Sequence, residues 1–233
     1  MDSDDYFALR NIGSRSYEGF ALPGYLSGVL ANPDARILDF GCGFGQMLSA
    51  LKQIGFSNIE GADINTAAIS HLRERQLTAH DLSIETDFYD THAESYDFVI
   101  MSHVLEHFPK GEVINQLRMV RKVIKAGGAL IVMVPNAQSN TGCYWAYEDF
   151  THTLLFTSGS LYYVLKSSGF SSVEFIDIDC TAGTASSLKR AARRLLLRLY
   201  RWNLGFWNKV TGSAYHASSP QIFSYEIKAL ARA

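Results

Sequence analysis

Short apolar runs alternate along this chain with longer stretches whose apolar positions recur every three or four residues. The runs fall near 36–40, 58–62, 78–82, 96–101, 129–135, 173–179 and 221–232 and predict strands. The periodic stretches fall near 45–54, 65–76, 112–125 and 158–168 and predict helices. Gly127-Gly128 stands where the third of these should stop, as a C-terminal glycine cap. Strands separated by helices imply a mostly parallel, doubly wound α/β sheet. One further periodic stretch, between the last two strands, is of a different kind. Wound as a helix, it puts Leu188, Ala192, Leu195, Leu196, Leu199, Trp202, Phe206 and Val210 on one face. Lys189, Arg190, Arg193, Arg194, Arg198, Arg201 and Lys209 all fall outside that stripe, and no acidic residue occurs between Asp179 and Glu226. This is a basic amphipathic helix. It either packs its stripe on its own domain or on a dimer mate, or it attaches to an anionic membrane face, glycan or glycolipid.

The 233 residues suffice for one sizeable α/β domain. The chain reads as a single unit over 1–233, with an N-terminal helical segment over 1–30 and the basic helical insertion over 180–220. A net charge of −2 gives no nucleic-acid signature. Cys42, Cys143 and Cys180 are odd in number and widely spaced, which argues against a disulfide framework and a zinc site. The acidic start, Met1-Asp2-Ser3-Asp4-Asp5, lacks the layout of a signal peptide. No apolar run approaches the ~18 residues of a membrane span. The expected setting is cytoplasmic, peripheral to the inner membrane face where the basic helix engages one.

The chemistry begins at Arg36-Ile37-Leu38-Asp39-Phe40-Gly41-Cys42-Gly43-Phe44-Gly45, where an apolar strand enters a D-x-G-x-G-x-G loop and a helix follows. Such a loop lets backbone approach a ligand and presents free N–H groups at a helix start, so it holds a nucleotide-like cofactor. The dinucleotide fingerprint needs a glycine at position 46, where Gln46 stands, and a phosphate loop is absent. Asp63, 22 residues past Gly41 at the tip of the second strand, is placed to accept both hydroxyls of a ribose. Its alternative role is a helix N-cap, for which Asn65 and Thr66 compete.

The glycine loop with its leading Asp39 resembles motif I of class I S-adenosylmethionine (SAM) methyltransferases. Tyr96-Asp97-Phe98-Val99-Ile100-Met101-Ser102-His103-Val104-Leu105-Glu106-His107-Phe108 looks like the family segment "FDvVi…hvLEH". Lys125-Ala126-Gly127-Gly128 through Pro135-Asn136 looks like "kpGG.l.i..PN". The resemblance covers roughly residues 30–180 and the final strand. It implies a Rossmann-like seven-stranded sheet with the last strand antiparallel, and SAM as cofactor. Asp39, Gly41, Gly43 and Gly45 would then form the loop against the methionine part, and Asp63, with Ile64 beside it, would hold the ribose. Ser83 and Ile84 align with the adenine edge, where the family usually has an acid; Asp81 and Asp87 are the alternatives. Ser102 and His103, at the end of the fourth strand, would line the sulfonium side.

The methyl acceptor is addressed by Trp145-Ala146-Tyr147-Glu148-Asp149-Phe150-Thr151-His152, continuing to Thr157, with Ser160-Leu161 and Gly169-Phe170 beyond. This resembles the "D.TH…Ft..sL..lL..aGF" segment of small-molecule methyltransferases, many of them from bacterial surface-polysaccharide and sugar pathways. It implies O-methyl transfer to a sugar or related polar small molecule, lipid-linked polysaccharide included. A hydroxyl acceptor calls for a base, and histidine suits it. His152, oriented by Asp149, is the first choice and His107 the second; either could instead tie down a loop. Glu148, Asp149 and His152 do not have a spacing diagnostic of a divalent ion, and no metal is expected. Trp145 and Tyr147 could stack on the acceptor or pack in the core. Two other function classes remain in view. A NAD-dependent oxidoreductase is opposed by Gln46 and the L-E-H run. A non-catalytic SAM-fold partner protein is opposed by the intact glycines and Asp63.

Overall fold

In a computed structural model, residues 9–10, 12–13, 19–216 and 219–233 are described. Of the N-terminal segment expected to be helical, residues 1–8, 11 and 14–18 lie outside the described residues. Its described part contains the short helix α1 (Gly24–Ser27).

The elements that follow are β1 (Ile37–Phe40), α2 (Gln46–Gln53), β2 (Ile59–Asp63), α3 (Thr66–Glu74), β3 (Thr78–Asp81), α4 (Phe88–Thr91), β4 (Tyr96–Ser102), α5 (Val113–Val123), β5 (Ile124–Pro135), α6 (Gly142–Glu148), α7 (Ser158–Ser167), β6 (Ser172–Phe175), α8 (Ser187–Thr211) and β7 (Glu226–Arg232). They form one seven-stranded sheet in the order β3-β2-β1-β4-β5-β7-β6. Strands β1 to β5 pair in parallel, and β7 runs antiparallel to both β5 and β6. The expected Rossmann-like sheet with a reversed last strand is the fold of this chain.

Strand side chains alternate between two cores, one on each face of the sheet. Leu38 and Phe40 of β1, Leu130, Val132 and Val134 of β5, and Ile227 and Ala229 of β7 meet Val113, Leu117, Val120, Leu161 and Leu165 of α5 and α7. Ile37, Ile131 and Met133 point the other way, onto Leu26, Leu48, Leu51, Ile69 and Leu72 of α1 to α3. Each fully buried leucine or isoleucine contributes roughly 1.5–3 kcal/mol. The covering helices start where the sequence supplies caps. The Asn65 side chain accepts from Ala68 N at 2.8 Å, and Thr157 with Ser160 forms a capping box for α7.

Several boundaries differ from the sequence reading. Gly127-Gly128 does not cap a helix: α5 stops at Val123, and the glycines lie inside β5. Gly127 takes φ +78°, and a Cβ on Gly128 would stand 2.8 Å from the Asp97 carbonyl oxygen. They let β5 shift register against β4, between the pairs Tyr96↔Ile124 and Phe98↔Ala129. Strand β6 ends early because the chain turns through left-handed residues at Asp177 and Cys180. Strand β7 starts at Glu226, not 221, because the carbonyls of Ile222 and Ser224 are taken by the Asn136 side chain at 2.9 and 2.8 Å. The expected basic helix is present as α8, 25 residues long. Its stripe does not pack on the described part of the domain: Leu188, Leu196 and Trp202 are 78, 64 and 71 % exposed.

Candidate active site

Strand β1 delivers the chain into the Gly41–Gly45 turn at the C-terminal edge of the sheet, where open α/β folds bind ligands. Gly41, Gly43 and Gly45 take φ +77°, +49° and +78°, a region side chains disfavour. A Cβ at Gly41 would stand 2.3 Å from Val104 Cγ2, and one at Gly45 2.3 Å from Leu72 Cδ2. Gly45 is also the residue before α2, so the turn ends in a helix N-terminus.

Asp63 closes this turn from β2. Its Oδ2 accepts from Gly43 N at 2.9 Å and its Oδ1 from Asn65 N at 2.8 Å. A carboxylate oxygen has a second lone pair, so both remain able to accept from a ribose diol. The N-cap role belongs to Asn65. Burial raises the pKa of Asp63, and the backbone N–H donors of Gly43 and Asn65 oppose that rise. Asp39 is buried beside it, and burial, with the field of Asp63, lifts its pKa to about 7. Two acids packed under a glycine turn attract a cationic ligand group, such as the ammonium of a methionine moiety.

The loops after β2 and β3, where the resemblance places adenine, present apolar side chains. Ser83 donates through both N and Oγ to Asp81 Oδ1, at 3.0 and 2.5 Å, so its hydroxyl is committed within its own turn. Ile64 and Ile84, on the loops after β2 and β3, are 57 and 69 % exposed. Two exposed aliphatic side chains on neighbouring loops suit the faces of a base. Asp87 stands at the start of α4.

At the end of β4, beyond Ser102, His103 takes φ +56°. Its Nε2 lies 3.1 Å from Glu226 Oε2 and its Nδ1 3.3 Å from Glu106 Oε1. Partial burial opposes a charge here, but the two carboxylates outweigh it and raise the His103 pKa to about 10. His103 is thus an imidazolium and not a base. Glu226 continues the chain of charges, with Oε1 2.9 Å from Lys228 Nζ, which lies 3.1 Å from Asp177 Oδ2. Its own pKa is held down to about 2 by His103 and Lys228 against the effect of burial.

The histidines meet beyond the 3₁₀ turn Leu105–His107. The rings of His107 and His152 pack edge to face with centroids 4.8 Å apart. Thr151 Oγ1 donates to Asp149 Oδ1 at 2.6 Å, so it accepts from His107 Nδ1 at 2.9 Å. Burial lowers the pKa of His107, with Glu106 pulling it up and His152 pushing it down. His152 Nδ1 lies 2.8 Å from the Trp145 carbonyl oxygen and donates to it, which leaves Nε2 as the nitrogen that can exchange a proton. Nε2 lies 3.8 Å from Asp149 Oδ2 and 3.9 Å from Glu106 Oε1. Asp149 therefore stands near His152 without hydrogen-bonding it, and the hydrogen bond that orients the ring comes from Trp145. Asp149 reaches His107 instead, through Thr151, and is also paired with Arg10 at 2.7 Å.

Glu106 is fully buried, and neither of its oxygens has a hydrogen-bond partner among the described residues. Glu106, His107 and His152 each bring one ligand atom within 4.8 Å of the others, a set that could hold a metal ion. Glu148 is exposed and outside it.

Residues 18–174 match the model of a protein family described as a methyltransferase domain. The chain belongs to that family. As a methyltransferase it is also similar to a ubiquinone biosynthesis O-methyltransferase of Cupriavidus pinatubonensis, 26 % identical over 48 % of this chain and 46 % of that one. An uncharacterized protein of Methanocaldococcus jannaschii is 31 % identical over 46 % of this chain and 43 % of its own length. The methyltransferase thus spans about half the length of these curated relatives. The crystal structure of a SAM-dependent methyltransferase from Archaeoglobus fulgidus superposes with a TM-score of 0.64 at 20 % identity, covering 99 % of this chain and all of that one. The cofactor is SAM.

The sequence reading gave no role to Glu106, Thr151, Arg10, Glu226 and Lys228, which the structure brings to this edge. A signal existed for the last two: Glu226 and Lys228 are charges at alternate positions in a strand that is otherwise apolar up to its terminal Arg232, so they share one face.

Proposed function

We propose that this methyltransferase is an O-methyltransferase acting on a hydroxyl of a sugar or related polar small molecule, including one carried on a lipid-linked polysaccharide. When bound, SAM supplies an electrophilic methyl group on a sulfonium. His152 takes the acceptor's hydroxyl proton on Nε2, and the imidazolium that forms is stabilised by Asp149 and Glu106. The observation carrying this reading is the placement of the ring: Nδ1 is held by the Trp145 carbonyl at 2.8 Å, and Nε2 lies 3.8 and 3.9 Å from two carboxylates that favour the imidazolium formed on proton uptake. His107, aligned through Thr151, shapes the other side of the acceptor site. Tyr144, Tyr147 and Phe150 are exposed beside it, with Phe150 at 91 %, and offer flat apolar surface to a sugar ring.

A phenolic acceptor is the second reading. It is favoured by those exposed aromatics and by similarity to ubiquinone biosynthesis O-methyltransferases.

The experiment follows S-adenosylhomocysteine release with free hexoses, nucleotide-activated hexoses and simple phenols, then locates the methyl group by mass spectrometry. A positioned base contributes 10²–10⁴-fold, so His152→Ala should lose about that much turnover with SAM affinity unchanged. Turnover within a few-fold of wild type assigns the proton to His107. Methylation confined to amines refutes O-methyl transfer.

A further inference from the structure

Helix α8 lies between β6 and the antiparallel β7, so it leaves and rejoins the sheet at the edge that carries the glycine turn. It is held to the body by one side. Tyr200 packs edge to face on Phe223 with centroids 5.9 Å apart, Arg194 Nε bonds Asp179 Oδ2 at 2.5 Å, and the side chain of Arg190 bonds the Thr184 carbonyl. Leu197, Tyr200, Leu204 and Asn208, partly covered, lie on this side. The stripe of Leu188, Leu195, Leu199, Trp202, Phe206 and Val210 lies on the opposite side of the wheel and is 48–78 % exposed throughout. A soluble helix normally turns such a stripe inward; α8 turns it out.

Charge identifies what covers it. Basic side chains flank the stripe on both sides, and α8 contains no acid. Two copies apposed through this face would bring Lys189, Arg198 and Lys209 of each against the same cations of the other, with no carboxylate in the helix to pair them. A nucleic acid would satisfy the charges and leave the leucines and tryptophans wet. A lipid surface with anionic headgroups satisfies both: acyl chains receive the stripe and headgroups receive the cations. Among the described residues no helix is long and apolar enough to cross a membrane, so α8 would lie in the plane of the interface.

We propose that α8 docks the enzyme on an anionic membrane face, with the ligand edge of the sheet beside that surface. Docking does not depend on which acceptor is methylated.

Flotation with phosphatidylcholine vesicles, with and without phosphatidylglycerol, tests this. Wild type should bind only the anionic vesicles, release at high salt, and show blue-shifted tryptophan emission when bound. Lys189→Gln/Arg193→Gln/Arg198→Gln/Lys209→Gln removes four basic residues, including the three that flank the stripe, sparing Arg194 and Arg190, which hold the helix to the body. Its vesicle affinity should fall on the order of 10³-fold at low salt, about one kcal/mol per cation. Leu199→Glu/Trp202→Glu should bind as poorly, and both variants should keep wild-type SAM affinity, which reports that the domain is folded. The proposal is overturned if wild type ignores anionic vesicles at low salt, or if the four-glutamine variant binds them like wild type. It is also overturned if the protein is a dimer that Leu199→Glu/Trp202→Glu splits, since a second copy then owns the stripe.

Discussion

Gly41→Ala puts a methyl group where the structure has no room. The Cβ would stand 2.3 Å from Val104 Cγ2, 3.2 Å from Cγ1 and 3.3 Å from Cβ itself. A χ1 turn that carries Cγ2 away still leaves the Val104 Cβ 3.3 Å off, so Val104 must both change rotamer and give by a few tenths of an ångström. The backbone at φ +77° adds a left-handed penalty of roughly 1–2 kcal/mol for a non-glycine residue. Overpacking adds roughly 1–3 kcal/mol, for a total of about 2–5 kcal/mol. Val104 immediately precedes the turn carrying Glu106 and His107, so displacing it also disturbs the acceptor side. The two contributions separate in a double-mutant cycle with Val104→Ala. That change removes the clash and leaves the backbone penalty, so the coupling energy should be about 1–3 kcal/mol, favouring the double mutant. Urea denaturation of the four proteins without cofactor gives the energies, and calorimetry with S-adenosylhomocysteine gives the effect on binding. A Gly41→Ala cost below about 0.5 kcal/mol, or a cycle with no coupling, would refute the close approach of Val104 to the glycine turn.

Three further outcomes follow from the same geometry. Asp63→Ala removes a charge-assisted acceptor and strands two backbone N–H groups, so SAM affinity by calorimetry should fall at least about tenfold; unchanged affinity would take Asp63 off the ribose. Asp39 has a folded pKa of about 7, above its unfolded value. Its contribution to apo stability is therefore fully present below the ordinary carboxylate range and is lost as pH rises through that value. A cationic cofactor selects the carboxylate, so SAM affinity should rise about tenfold between roughly pH 6 and pH 8, and Asp39→Asn should flatten that dependence in a pH series of titrations. Lys228, 2 % exposed, neutralises Glu226 and Asp177; Lys228→Met leaves both carboxylates buried and should cost about 3–5 kcal/mol in chemical denaturation, whereas adding Glu226→Gln should recover part of it.

The parallel half of the sheet was legible because its strands are continuous apolar runs buried on both faces. The cofactor turn was legible because left-handed backbone leaves glycine almost alone as a choice. Legibility failed where a local signal has two structural solutions. Gly127-Gly128 reads as a helix cap, yet the same freedom of φ serves a strand bulge, and the pairing of β5 with β4 decided between them. Residues 221–225 read as strand by their apolar content, but Asn136, 86 residues away from Ile222, takes their carbonyls. The acceptor side was half legible. His107, Asp149 and His152 were named, but nothing local says that Asp149 reaches His107 through Thr151 while Trp145 fixes His152. Such pairings are made by tertiary contact and leave no periodicity behind.

The same logic explains why charges stand in β7. Strand β7 sits between β5 and β6, and its alternate residues Ile227, Ala229 and Ala231 enter the core under α5 and α7. Glu226 and Lys228 point to the other face, where His103 and Asp177 receive them. Ala, Leu and Ile in β7 would tolerate a shifted pairing poorly but survivably. A slip of one residue reverses every side chain and would drive Glu226 and Lys228 into the aliphatic core, at several kcal/mol per unpaired charge. Buried ion pairs add little net stability over well-packed apolar residues, so their effect here lies in making the wrong register costly. The register they enforce is also the one that sets Glu226 against His103, keeps that imidazole charged, and holds it 3.3 Å from Glu106 beside the acceptor histidines.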